Sequence, residues 1–381
     1  MVRVILVVIT FLLAILNFVP VPSKEIWYAG ILIPEYPWIF ILLMLPLLVW
    51  CSTRVPYRNI SLTIGVAALA MFISPIVRAY NVASDLPQKI EERFNIKTSD
   101  LNVFHQPYPF SFWQMFTGNG TKKIAFTNYK YANHGGQDLT LNFSSSVVSG
   151  IRPCLFVVHG GSWKRGDKSE IAAMNNYFAY AGYHVATIDY RLAPKFHSPA
   201  PQEDVHAAFI WLRANAAKLQ IDTNNFVLMG RSAGAQIVLT TAYTGKESGV
   251  KGVAAFYGPN DMYWSYEHPD NPYIMDSKMV QRDFLGGDPR SVPDRYETES
   301  PLFFVTNKTV PTLLVHGTID AHVHYEQSVR LSKKLDSFHV KNLLLTLPWA
   351  THGCEYNLNG PSGQLSVYTM ERFFYALTQK R

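Results

Sequence analysis

Four apolar residues, a glycine–serine–glycine turn and a run of helix formers follow one another in "FVLMGRSAGAQIVL", residues 226–239. Phe226 to Met229 predict a buried strand, and Ala235 to Leu239 predict a helix leaving the turn. Gly230 and Gly234 lack Cβ atoms, so strand and helix can approach closely while Ser232 is held at the tip. This is the setting of a G-x-S-x-G nucleophile elbow. A serine hydroxyl is a weak nucleophile until a base takes its proton, so a histidine oriented by a carboxylate must accompany it. "HGTIDAHVHY" supplies Asp320 in the loop after one apolar strand, and "THGC" supplies His352 in the loop after the next. "HGGSW", residues 159–163, adds Gly160 and Gly161, whose backbone N–H groups can face a developing oxyanion. Each such donor is worth about 10² to 10³ in rate. The chemistry available to this set is acyl transfer through a serine.

The chain holds 12 histidines, so composition alone does not choose the base. His316, His322, His324 and His339 compete with His352, but none follows the final strand. His322 and His324 read as solvated or supporting side chains, and His159 and His184 as structural. Asp189 and Asp204 read as acceptors that orient backbone or neighbouring side chains. Cys51, Cys154 and Cys354 show no metal-ligand spacing. Cys154 sits in an apolar run and is expected to be a buried thiol; a single bridge to Cys354 is the alternative.

The elements that must position these residues alternate between strand and helix, which predicts an α/β architecture. Strands are expected over 138–143, 154–160, 184–190, 226–229, 250–258, 310–317 and 342–348, with a helix through "EDVHAAFIWLRANA". The candidate residues fall in loops after strands, where an open, mostly parallel sheet binds its ligands. A segment at 259–288 interrupts the rhythm and is expected to cover the pocket. Its Tyr263, Trp264 and Tyr266 would favour a compact apolar or aromatic acyl group, so Trp163, Tyr263 and Trp264 are the candidate substrate-binding residues.

Residues from about 125 to 378 resemble the α/β-hydrolase superfamily, specifically its hormone-sensitive-lipase and acetyl-esterase-like carboxylesterases. "HGGSW", "DYRLAP", "EDVHAAFIWLRANA", "GRSAGAQ" and "HGTIDAHV...THG" match that family's motifs in order. The resemblance implies a mostly parallel sheet flanked by helices, with Ser232 as nucleophile, His352 as base and Asp320 as orienting acid. It implies an oxyanion hole from the N–H groups of Gly160, Gly161 and Ala233, no metal or organic cofactor, and a small-molecule or lipid ester as substrate. Ala235 stands where a third glycine is common, and Cys354 where an aromatic often follows the histidine. Relatives similar to kynurenine formamidase and prenylcysteine methylesterase share "HGG-x-W" and "G-x-SAGA". An amide or peptide hydrolase of the same fold, prolyl-oligopeptidase-like included, therefore competes with the esterase reading, as does a catalytically silent membrane scaffold.

The first 80 residues have a different character. Three apolar stretches, 4–21, 26–50 and 60–79, are each close to the roughly 20 residues a helix needs to cross hydrocarbon, so an all-α transmembrane region is expected. A cleaved signal peptide is the competing reading of the first stretch, though no A-x-A site follows it. Glu35 is placed near an interface, with Trp38 and Trp50 at boundaries. Arg3 before the first span, and Arg54 with Arg58 in the second loop, put both on the cytoplasmic side and the catalytic part on the extracytoplasmic, periplasmic or lumenal, side. Residues 81–124 are expected to be a connector with an aromatic-rich stretch at 104–116, and 125–381 the catalytic domain. The net charge of +6, from 34 basic and 28 acidic residues, forms no basic stripe that would suit nucleic acid. Oligomeric state is not legible.

Overall fold

The computed structural model describes residues 2–53, 57–96, 104–134 and 136–378; Arg54 lies outside them. Among the described residues one sheet has 8 strands: β1 (Thr127–His134), β2 (Gln137–Ser144), β3 (Arg152–Val158), β4 (His184–Ile188), β5 (Ile221–Arg231), β6 (Val250–Phe256), β7 (Thr312–Gly317) and β8 (Asn342–Leu347). Their order is β1-β2-β4-β3-β5-β6-β7-β8. β1 and β2 pair antiparallel, as do β2 and β4; from β4 to β8 all pairs are parallel. Strand order reverses beside β3, which opens a crevice at the carboxyl ends of β3 and β5.

Side chains alternate strictly across the parallel strands. Phe156, Val158, Leu228 and Leu314 pack with the helices Ala200–Ala214 and Ala233–Thr244 on one face. Leu155, Val157, Val227, Met229 and Leu345 pack with Ala172–Tyr180 and Pro361–Thr378 on the other. β1 is the strand the sequence conceals: "TNYKYANH" is polar and mostly exposed, as an edge strand can be.

Among the described residues four N-terminal helices, and a short one at Gln114–Thr117, precede the sheet: α1 (Val2–Ile15), α2 (Trp27–Glu35), α3 (Pro37–Ser52) and α4 (Arg58–Phe94). The single helix expected over 26–50 is divided. Pro37 disfavours helical backbone at Tyr36, which sits at φ −130° and ψ 46°, and the segment Lys24–Glu35 meets α3 at 87°. Glu35 is not at an exposed boundary but buried: its carboxylate accepts from the Ser362 amide at 3.1 Å and its carbonyl from Asn357 Nδ2 at 2.8 Å. α1 ends at Ile15 rather than 21, and with 14 residues it is shorter than a full span. α4 passes through the expected boundary at residue 80. Ile76, Ala79, Leu86, Ile90 and Phe94 recur at helical spacing and cover the sheet beside Phe373 and Tyr177. By length and composition α4 is long and apolar enough to cross a membrane, and the bent pair of α2 with its preceding turn and α3 would be a second such span.

The aromatic stretch 104–116 lies against Pro361–Thr378. Phe104, Phe110 and Met115 are buried there, and the amides of His105 and Gln106 donate to Glu371 at 2.8 and 3.1 Å. Tyr108, Trp113 and Phe116 remain exposed, Phe116 against Trp38 at the start of α3. The three cysteines are free and buried, which removes the Cys154–Cys354 bridge from consideration.

Two glycines of the β5 turn are held by contact. A Cβ on Gly230 would lie 2.2 Å from the Gly234 carbonyl oxygen, and one on Gly234 would lie 2.3 Å from the carbonyls of Val158 and His159. Gly234→Ala is therefore expected to destabilise the fold by about 3 kcal/mol, because backbone cannot move aside as a side chain can. Gly245→Ala has open space and meets only its left-handed φ, so it should cost about 1 to 2 kcal/mol. Urea unfolding of the purified protein followed by tryptophan fluorescence checks both, and equal losses would refute the contact argument.

Candidate active site

Ser232 ends the β5 turn at φ 52° and ψ −121°, a left-handed conformation that a serine adopts only under constraint. Its amide donates to the Phe256 carbonyl at 2.9 Å, and its own carbonyl accepts from Ala235 and Gln236 at 2.9 and 3.2 Å, starting the helix Ala233–Thr244. Ala233 is the first residue of that helix, so its N–H has no intrahelical partner and is free to face the crevice.

Asp320 follows β7 and His352 follows β8, and the two meet with His352 Nδ1 2.8 Å from Asp320 Oδ2. The Asp320 carboxylate is buried. Its Oδ1 accepts from the amides of His322 and Val323 at 2.7 and 3.0 Å, and its Oδ2 lies 3.4 Å from His316 Nε2. Burial alone would raise its pKa, but the His352 and His316 imidazoles outweigh that and hold it below the usual carboxylate range. Ser232, Tyr257, His322 and His352 open into one cavity of about 730 Å³, together with Gly160, Gly161, Arg165 and Glu170.

The glycine loop after β3 has its own fixtures. His159 Nδ1 is 2.7 Å from the Gly160 carbonyl, and its ring stacks on Tyr190 at 4.3 Å. Gly161 has φ 106°, where a Cβ would meet the Arg165 carbonyl oxygen at 2.0 Å. Trp163 donates from Nε1 to Gln236 Oε1 at 3.0 Å and stacks on Phe284 at 4.4 Å. It lines a second cavity of about 30 Å³ with Ser232, Ala233, Ser265, Asp270, Met275, Val280 and Gln281. That volume admits a group of only a few non-hydrogen atoms.

Tyr263 and Trp264 line neither cavity. The helix Met262–Glu267, capped by Asp261, turns Met262 and Ser265 inward, so its neighbours at Tyr263 and Trp264 face away. Tyr263 packs on Tyr296 and donates to the Pro293 carbonyl at 2.8 Å; Trp264 stacks on His268 under Arg330. The segment 259–288 does cover the small cavity, through Pro259, Ser265, Asp270, Met275, Ser277, Val280 and Gln281. Asp189 and Asp204 take the orienting parts expected of them: Asp189 accepts from the Lys168 amide at 2.9 Å and Asp204 from the Arg191 amide at 2.7 Å.

Around these residues lie others, of which Asp270, Arg231, Glu355 and Tyr257 carry no sequence signal. His322, read from the sequence as a solvated or supporting side chain, stacks on His352 at 4.9 Å and 21°, and burial, then the neighbouring His352, pushes its pKa down to about 3, so it stays neutral there. Asp270, in the lining of the small cavity and 3.5 Å from His324 Nε2, is pushed up to about 8 by burial and then by Asp320. Arg231, next to Ser232, is paired with Glu355, three residues after His352, at 2.8 Å in a fully buried contact. Glu355 also accepts from the Tyr257 hydroxyl, and the Tyr257 ring lies 4.2 Å from His352. The indole of Trp27, from the N-terminal helices, donates to the His352 carbonyl at 3.0 Å.

The fold agrees with that of solved esterases. A bacterial heroin esterase matches with TM-score 0.58 at 19% identity, over 74% of this chain and 93% of that one. A hyperthermophilic esterase from the archaeon Pyrobaculum calidifontis matches with TM-score 0.57 at 21% identity, over 67% and 84%. In sequence, Esterase LipC of Mycobacterium tuberculosis is 28% identical over 215 residues, and the chain spans 53% of its length. The sheet order, its reversal beside β3 and these likenesses make the domain an α/β-hydrolase fold. Residues 143–335, more than half of the chain and the part that carries the glycine loop, the elbow and Asp320, match BD-FAE, and the chain belongs to the BD-FAE family.

Proposed function

We propose that this chain is a membrane-anchored serine carboxylesterase. The observation that carries the reading is the His352–Asp320 pair at 2.8 Å, opening into the same cavity as a serine held on a strained elbow. In this reading Ser232 Oγ attacks the ester carbonyl carbon as His352 Nε2 takes its proton. Asp320 holds the imidazole through Nδ1 and stabilises the imidazolium. The amides of Gly160, Gly161 and Ala233 receive the carbonyl oxygen as it gains negative charge. Collapse expels the alkoxide, which leaves as the alcohol with the proton from His352, and an acyl-serine remains. Water then attacks that acyl group with His352 again as base, and the acid departs. The small cavity beside Ser232 and Trp163 suits a short acyl group, and the large one the alcohol portion.

Membrane anchoring draws support from the N-terminal helices. Outward residues on α1 (Ile5, Ile9, Leu12), α3 (Leu42, Leu45, Val49) and α4 (Ile60, Val66, Ile73) are apolar and exposed. Arg3 over Trp50 marks one end of this bundle and Arg78 over Phe18 the other. From Arg58 to Arg78, α4 rises about 30 Å, the thickness of a hydrocarbon core. Arg3 and Arg58 at the far end put that end in the cytoplasm and the catalytic part outside it.

Ser232→Ala should abolish labelling by a fluorophosphonate probe and lower kcat on p-nitrophenyl acetate by about 10⁶-fold. Equal labelling of both proteins would sink the assignment of nucleophile. Asp320→Asn should keep the fold by circular dichroism and lose about 10⁴-fold in kcat, since the imidazole then lacks its orienting charge; a loss below tenfold counts against the pair. The anchoring reading expects the protein to stay in the membrane pellet after alkaline carbonate extraction, and release into the supernatant would overturn it.

A further inference from the structure

We infer that the candidate active site is fed from the bilayer: its larger cavity takes an amphiphilic ester with a short acyl group, whose long alcohol portion leaves the lipid past Lys24, Trp27 and Tyr28. This deepens the esterase and anchoring readings above and rests on them.

The first support is where the wall comes from. Lys24, Trp27 and Tyr28 line the cavity that holds Ser232 and His352, yet they belong to the segment that joins α1 to α3. The second is direction. The segment Lys24–Glu35 lies at 87° to α3, so with α3 along the membrane normal α2 lies flat in the membrane plane. Its length therefore does not lift Tyr28 away from the lipid, as a helix continuing α3 would at about 1.5 Å per residue.

The third is an exposed apolar side. Up to Glu35, α2 is apolar all round: one side is buried through Gly30, Ile31, Ile33 and Pro34, while Tyr28 (65% exposed) and Leu32 on the other, with Ile26 in the turn before it, remain exposed. Trp113 (72% exposed) and Phe116 are exposed as well, Phe116 against Trp38 at the start of α3. Exposed aromatic and aliphatic side chains of this kind are enriched where a protein meets the lipid headgroups. The fourth is contact with the chemistry. Besides the Trp27 bond to the His352 carbonyl, the Trp27 ring lies 4.8 Å from His322, which stacks on His352. The wall nearest the lipid is thus also the support of the candidate base.

The full chain, reconstituted in phosphatidylcholine vesicles, tests this with hexadecyl acetate as the bilayer-resident ester and p-nitrophenyl acetate as the soluble one. At fixed bulk hexadecyl acetate, diluting it tenfold with added phosphatidylcholine should lower its subsaturating hydrolysis about tenfold, while p-nitrophenyl acetate turnover holds. Ile26→Ser with Leu32→Ser should lower kcat/KM for hexadecyl acetate at least about fivefold, through its surface KM rather than kcat. Indifference to dilution, or no turnover of hexadecyl acetate by protein that hydrolyses p-nitrophenyl acetate, overturns this inference alone. Failure of the wild-type protein to hydrolyse p-nitrophenyl acetate would overturn the esterase reading beneath it, and undiminished hydrolysis by Ser232→Ala would overturn its nucleophile.

Discussion

Backbone touching backbone, between the end of β5 and the start of the helix that follows, is the constraint on which the site depends. Gly230 and Gly234 leave no room for a side-chain carbon, and Ser232 between them is held in a conformation that favours glycine. Strain of this kind, about 1 to 3 kcal/mol, persists only where the surroundings over-determine it. Here β6 supplies the Phe256 carbonyl, the helix supplies two amides, and the β3 loop closes over Gly234. The result is a hydroxyl presented at the sheet's reversal point, with the Ala233 amide beside it.

The loops that complete the site are tied to that elbow by buried charge. Arg231 and Glu355 join the residue before Ser232 to the loop of His352, with both side chains almost wholly out of water. Such a pair adds little net stability over an apolar substitute, but losing one partner strands a buried charge, at about 3 to 5 kcal/mol. It acts as a registration device: elbow and histidine loop cannot shift separately without exposing the ion pair. Glu35, through its carbonyl and Asn357, and Trp27 hold the same loop from the N-terminal side.

Much of the fold was legible because it rests on local signals. Continuous apolar runs marked β3 to β8, and glycines beside Ser232 and in "HGGSW" marked turns that geometry demands. Asp320 and His352 could be named because each follows a strand in the right order. What stayed hidden depends on tertiary packing. Asp270 and Glu355 have ordinary neighbours in sequence and acquire their surroundings only when β6, β7 and β8 lie side by side. Tyr263 and Trp264 turn away from both cavities, which their aromatic content could not foretell, since it says nothing about which face of a six-residue helix points inward. The apolar character of 26–50 suggested one span; Pro37 was the sign of a break, but only the buried pocket for Glu35 explains where the first half goes.

α4 begins among the apolar helices and ends, 37 residues on, inside the hydrolase core against Phe373. At about 1.5 Å per residue it is a beam of roughly 55 Å, running on through Pro75 and Pro87. In the anchored reading proposed above, membrane part and catalytic part share a structural member rather than a tether, so the altitude and tilt of the catalytic body above the lipid follow from the fold itself. Clipping the chain near residue 80 would amputate a piece of the hydrolase fold's own interior, Ile76 and Ala79 included.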